Sequence, residues 1–159
     1  MARSVVIVEG VRTAIGDFGG SLRDVAPTAL GATVARQALS RAGVAPEDVG
    51  HTVFGNVIHT EPRDMYLARV AAMEAGIPKE VPALTLNRLC GSGLQAIVSA
   101  AQTIMLEDAE IAVAGGAESM SRSPHAVQSA RWGQKMGDTQ FVDMMLGALN
   151  DPFGNGHMG

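Results

Sequence analysis

Two rhythms of apolar and polar positions run through this chain, one of β type and one helical. Arg3–Thr13 is dense in β-branched residues around Val5-Val6-Ile7-Val8 and predicts a strand buried on both faces. Gly16-Asp17-Phe18-Gly19-Gly20-Ser21 breaks that run as a loop. A helix is predicted from Pro27-Thr28, since proline suits a first turn. Its apolar residues Leu30, Val34, Ala38, Leu39 and Ala42 keep helical spacing, with Gly43 as C-cap and Pro46 beyond. Thr52–Ile58 predicts a second strand, Asp64–Ala75 a helix closed by Gly76 and Pro78, and Pro82–Leu86 a short third strand. Cys90–Leu106 gives the clearest helix: Leu94, Ile97, Val98, Ala101, Ile104 and Met105 form one apolar stripe. Ile111–Ala114 makes a fourth strand ending at Gly115-Gly116.

The predicted order is β-α-β-α-β-α-β, which implies an α/β fold with a mostly parallel sheet and right-handed crossovers. After Gly116 the character changes. The stretch 119–138 is polar and carries Arg122, Arg131, Lys135 and the one tryptophan, Trp132. A short helix is expected near Thr139–Leu149, ahead of a Gly-rich stretch, Gly154–Gly159. The chain therefore divides into an α/β region, 1–118, and an arm, 119–159, whose scarcity of regular structure suggests a lid, a binding loop or an assembly arm.

Composition narrows the function classes. The chain has 159 residues, one domain's worth, and its apolar share of 47% is ample for a core. Twelve Lys and Arg against 16 Asp and Glu leave a net charge of −4, which argues against a protein that grips nucleic acid. Aromatics at 4% also disfavour base-stacking platforms. One cysteine excludes an internal disulfide and a multi-cysteine metal site, and the four histidines (His51, His59, His125, His157) are scattered, so no metal centre is expected. The apolar run after Met1-Ala2-Arg3-Ser4 stops at Glu9, too short for a signal-peptide core, and nothing approaches the roughly 20 apolar residues of a membrane span. A single free thiol fits a reducing, cytoplasmic setting.

The informative segment is Leu84-Thr85-Leu86-Asn87-Arg88-Leu89-Cys90-Gly91-Ser92-Gly93-Leu94, which puts the only cysteine at a strand-to-helix junction. In open α/β sheets, sites lie outside the carboxyl ends of the strands. A helix N-terminus offers unpaired N–H groups and about half a positive charge, conditions that favour thiolate, the nucleophilic form. The same N–H groups suit a thioester oxyanion. Against this stands the commoner role of a lone cysteine as a small buried hydrophobe; the flanking glycines and helix start bring the two readings level. For Gly91-Ser92-Gly93, tight helix–sheet packing is the plain alternative to close substrate approach. Gly154-Asn155-Gly156-His157-Met158-Gly159 matches a dinucleotide-binding string but follows no strand and opens no helix, so it is rejected. His51, His59 and His125 read as structural or solvated, and Arg122, Arg131 and Lys135 as a solvated basic loop rather than a phosphate site.

Leu86-Asn87-Arg88-Leu89-Cys90-Gly91-Ser92-Gly93-Leu94-Gln95-Ala96-Ile97 resembles the acyl-enzyme signature of the thiolases, and Gly115-Gly116-Ala117-Glu118-Ser119-Met120-Ser121 resembles a second thiolase motif. Gly10-Val11-Arg12-Thr13-Ala14-Ile15-Gly16 and His157-Met158-Gly159 match in the expected order, so the resemblance spans the whole chain as the family's amino-terminal portion. It is nearest in character to bacterial β-ketothiolases. The resemblance implies reversible Claisen chemistry on coenzyme A thioesters, with acyl-CoA as substrate and no permanently bound cofactor. It makes Cys90 the nucleophile that becomes acylated, and places Leu149, His157 and Met158 beside the pantetheine arm. It also implies that 119–159 begins a loop domain covering coenzyme A, and a homo-oligomer, dimer or tetramer, in which the basic arm touches a neighbour.

Thiolases have a second half supplying an activating histidine, a second cysteine as acid/base and an oxyanion site; none of these is found here. In this family the last strand of the first domain follows the loop domain, so a sheet edge and a helix face are expected to lack cover. The resemblance thus predicts little turnover by these 159 residues alone, and either a longer product or a complementary C-terminal polypeptide. The competing readings are a non-catalytic assembly or binding fragment on the same plan, and a related ketosynthase or hydroxymethylglutaryl-CoA synthase.

Overall fold

The computed structural model describes residues 3–159. Helix α1 spans Pro27–Ala42 and starts at its proline, which gives up an N–H that no first turn can satisfy. It stops at Gly43, whose φ of 65° is the left-handed C-cap. Strand β1 (His51–Gly55) follows, then a 3-10 turn over Pro62–Tyr66 leading into α2 (Leu67–Glu74). Strand β2 covers Ala83–Leu86, α3 Ser92–Met105 and β3 Ala112–Gly116. The sheet order is β2-β1-β3, all parallel, with Gly55 level with Leu86 on one side and Gly116 on the other.

Central position explains why Thr52–Gly55 are all buried: β1 has a ladder on both edges and helices on both faces. Phe54 points to the α1/α2 side and packs with Ala35, Leu67, Ala68 and Ala75. Its neighbour Val53 points the other way, against Ala96 and Ala100 of α3. Full burial of the Phe54 ring alone contributes about 3 kcal/mol. Crossovers through helices keep the three strand ends pointing the same way, so the loops after β1, β2 and β3 gather on one edge.

The expected first strand does not form. Arg3–Thr13 makes no ladder with any described residue, and Val6, Ile7 and Val8 are 73%, 78% and 71% exposed. Ser4–Phe18 instead borders, with β3 and its flanks, an open groove of about 1010 Å³. A β-branched run states a preference; a strand also needs a partner edge to bond. The apolar stripe of α3 departs from expectation too. Its sheet-facing residues are Ser92, Ala96 and Ala100, whereas Leu94 is 64% exposed and Ile97, Val98 and Met105 are exposed with it. Small residues at i, i+4 and i+8 let the helix lie close on the sheet, so its large side chains face outward.

The arm from 119 onward is built of short pieces. Strand β4 (His125–Ala126) pairs antiparallel with β5 (Val142–Asp143), and α4 covers Met144–Leu149. The helix expected over Thr139–Leu149 is confined to 144–149 because the Asp143 carboxylate accepts the N–H groups of Met145 and Leu146, fixing the cap there. Arg122 docks the arm on the α/β region through a 2.7 Å ion pair with Glu61. No helix of the structure is long and apolar enough to cross a membrane.

Candidate active site

Cys90 lies on the loop between β2 and α3, at the carboxyl edge of the sheet, and is exposed. Five hydrogen bonds close this loop, one of them from the Ser92 N–H to the Leu89 carbonyl at 3.0 Å. The Asn87 side-chain oxygen accepts the Leu89 N–H at 2.9 Å, and the Arg88 carbonyl accepts the Gly91 N–H at 3.1 Å. The Ser92 hydroxyl accepts the Arg88 N–H at 2.9 Å and donates to the Leu89 carbonyl at 2.6 Å. Within this knot Leu89 is held at φ 48°, left-handed for a residue with a branched side chain, which turns the chain sharply just before the cysteine. Helix α3 then begins at Ser92, so Cys90 precedes its first turn. Among the described residues, the N–H groups of Cys90, Gly93 and Leu94 have no acceptor.

The start of α3 is seated on β1. Ser92 is buried, and a Cβ on Gly55 would stand 2.7 Å from the Ser92 Cβ and 2.9 Å from its carbonyl carbon. The tight contact therefore lies at Gly55, whereas a Cβ on Gly93 would meet nothing within 4 Å.

A cavity of about 480 Å³ opens beside Cys90. Its walls include Leu89, Ser92 and Gly93, the end of β1 and the residues after it, Gly55–Ile58, the end of β3 and the residues after it, Gly116–Glu118, and Leu149 and Met158 from the arm. The arm reaches it because Met158 donates its N–H to the Leu149 carbonyl at 2.8 Å and Asn150 bridges to His157. Three of the four residues singled out from the sequence, Cys90, Leu149 and Met158, thus share one cavity. His157 does not line it; its ring Nδ1 accepts the Gly159 N–H at 3.0 Å and the residue is exposed. The larger groove under 4–18 excludes Cys90. Among the described residues no His, Cys, Asp and Glu cluster could hold a metal.

Glu118 escaped the sequence reading as a working residue. Its carboxylate accepts the Asn56 amide at 2.9 Å, the Val57 N–H at 2.8 Å and the Ile58 N–H at 3.1 Å, clamping the post-β1 loop to the post-β3 loop. Desolvation pushes its pKa above the ordinary value, a rise that Asp64 reinforces and the Val57 and Ile58 N–H groups and His59 oppose. Asn56 is buried, and Glu118 itself keeps an exposed edge. An isolated acid after Gly-Gly-Ala carries no local signal for this; the donors come from 60 residues upstream.

With this geometry in place the comparisons are decisive for class. Residues 5–159 match the family described as "Thiolase, N-terminal domain", and the chain belongs to the thiolase family. It is 69% identical over 159 residues to the β-ketothiolase BktB of Cupriavidus necator, covering 100% of this chain and 40% of that protein. It is 49% identical over 156 residues to an acetyl-CoA acetyltransferase of the same organism, covering 98% and 39%. The human mitochondrial 3-ketoacyl-CoA thiolase, crystallised in complex with CoA, superposes with a TM-score of 0.91 at 43% identity over 95% of this chain and 39% of that one. The chain spans about 40% of the length of the relatives it matches.

Proposed function

We propose that this chain carries the nucleophile of a coenzyme A acyltransferase that makes or cleaves 3-ketoacyl-CoA thioesters. The observation that carries the reading is the placement of Cys90: exposed on the turn entering α3, in one cavity with Leu149 and Met158. In the first step the Cys90 sulfur attacks the acyl-CoA carbonyl, the coenzyme A thiolate leaves and takes up a proton, and an acyl-cysteine remains. In the second the α-carbanion of another acyl-CoA attacks that thioester, forming the carbon–carbon bond and releasing the Cys90 thiolate; thiolysis is the reverse. The free N–H groups at 90, 93 and 94 supply dipoles for the developing oxyanion. Leu149 and Met158 give the pantetheine arm an apolar wall. The working assembly is cytoplasmic and either homo-oligomeric, a dimer or tetramer, or completed by a C-terminal polypeptide.

The proton transfers need acid and base partners beside Cys90, and each acid or base is worth about 10²–10⁴-fold in rate. Among the described residues Glu118 shares the cavity, but its oxygens are taken by the Asn56, Val57 and Ile58 donors. The 159 residues alone are therefore expected to turn over little acetoacetyl-CoA. The test joins them to the C-terminal remainder of the Cupriavidus necator β-ketothiolase and exposes the chimera to acetyl-CoA. Intact and peptide mass spectrometry should find one acetyl group, on Cys90, and none in Cys90→Ser. A folded chimera that takes up no acetyl group would leave the exposed apolar face of α3 as the working surface, as an assembly fragment requires.

A further inference from the structure

We propose that Ser92 is the positioning residue for Cys90, an inference that rests on the acyltransfer reading above. The hydroxyl is buried and bonded in both directions, accepting from the Arg88 N–H at 2.9 Å and donating to the Leu89 carbonyl at 2.6 Å. These two bonds span the loop that presents the sulfur, and the residue is also the first of α3. Its Cβ lies against Gly55, so the hydroxyl cannot swing away without moving helix or strand. Leu89 sits at φ 48°, a conformation that a leucine leaves unless its surroundings hold it. Three bonds hold it: the Ser92 hydroxyl grips its carbonyl at 2.6 Å, the Ser92 N–H reaches the same carbonyl at 3.0 Å, and Asn87 takes its N–H at 2.9 Å. Neither Ser92 nor Asn87 acts on the acyl group; both act through the backbone on where Cys90 stands.

Removing the hydroxyl leaves the Leu89 carbonyl to the longer Ser92 N–H bond, which loosens Leu89 towards ordinary φ values and lets the sulfur wander from the attack line. A misplacement of about 1 Å costs roughly 100-fold in a positioned reaction. In the chimera, Ser92→Ala should lower the maximal rate of Cys90 acetylation by about 10- to 100-fold, with the acetyl-CoA concentration for half-maximal rate unchanged within about twofold. Iodoacetamide, which needs no docked orientation, should alkylate Cys90 in Ser92→Ala within about twofold of the parent rate. Ser92→Thr, which keeps the oxygen, should retain more of the maximal rate than Ser92→Ala. Asn87→Ala removes the grip on the Leu89 N–H from an exposed site and should show the same split, to a smaller degree.

A parent-like maximal rate in Ser92→Ala would overturn the positioning role, as would an equal fall in acetylation and alkylation. Should Ser92→Ala fail to fold, a parent-like maximal rate in Asn87→Ala overturns it. If the parent chimera itself is not acetylated, the acyltransfer reading falls and this role with it; loss confined to the variants leaves the reading standing.

Discussion

Replacing Gly55 by alanine tests the seat on which the nucleophile loop rests. The new Cβ would lie 2.7 Å from the Ser92 Cβ, 2.9 Å from its carbonyl carbon and 3.0 Å from its carbonyl oxygen. Ordinary van der Waals contact begins at 3.4 Å, so strand and helix must part by about 0.7 Å. None of the three atoms is the end of a flexible side chain, and β1 is clamped by ladders on both edges, so rotamer changes cannot absorb the insertion. Overpacking of this kind costs about 1–3 kcal/mol, and the rigidity of both neighbours places Gly55→Ala near the upper end. Measured as the urea midpoint of the chimera with an unchanged m-value, that loss should be plain, since a domain's whole stability is about 5–15 kcal/mol. Maximal acetylation of Cys90 should fall as well, because the helix start shifts with the loop. An unfolding midpoint equal to the parent's would refute the close-approach argument, and the proposed coupling between strand and sulfur would go with it.

Two further outcomes follow from single side chains. Because the pKa of Glu118 is raised in the fold, the folded state holds its proton at pH values where the unfolded chain has released it. Stability linked to this group is full below the ordinary carboxyl value of the unfolded chain and falls as pH rises through the higher folded value; the exposed edge of the residue keeps that slope shallow. Glu118→Gln should abolish the slope, while costing about 1–3 kcal/mol at neutral pH because an amide puts a donor where a carboxylate oxygen accepted one; chemical denaturation at several pH values reads both, and an unchanged slope would discredit the clamp. Glu107 takes φ 67° just after α3, a left-handed position, so Glu107→Gly should raise the melting temperature by the equivalent of about 1 kcal/mol. A lower melting temperature would contradict it.

The helices were readable because their signals are local. Pro27 and Gly43 mark both ends of α1 through φ preferences that need no neighbour, and each does its work within one turn. β1, β2 and β3 appear in short, mainly apolar stretches that end in polar or glycine residues, and the parallel order follows from the helices between them. The candidate site was legible in part: the Cys90 string stood out, and Leu149 and Met158, read from the family likeness, border the same cavity. His157 occupies a different environment, because its own turn with Gly159 takes up its ring nitrogen. Asn56, Ser92 and Glu118 were not legible, since a serine or glutamate looks alike in sequence whether it is solvated or accepts distant N–H groups.

By itself, then, the sequence determined the α/β alternation, the helix ends and a cysteine at a strand-to-helix turn, all consequences of backbone preferences and apolar period within a few residues. Only the tertiary structure decided that Arg3–Thr13 stays unpaired, that α3 turns Ala96 and Ala100 inward and Leu94, Ile97 and Val98 outward, and that Ser92 clips the loop beneath Cys90. Those outcomes depend on which edge is free to bond, how closely two elements can approach and which donors arrive from far along the chain. Such facts belong to pairs of segments and are written in neither one alone.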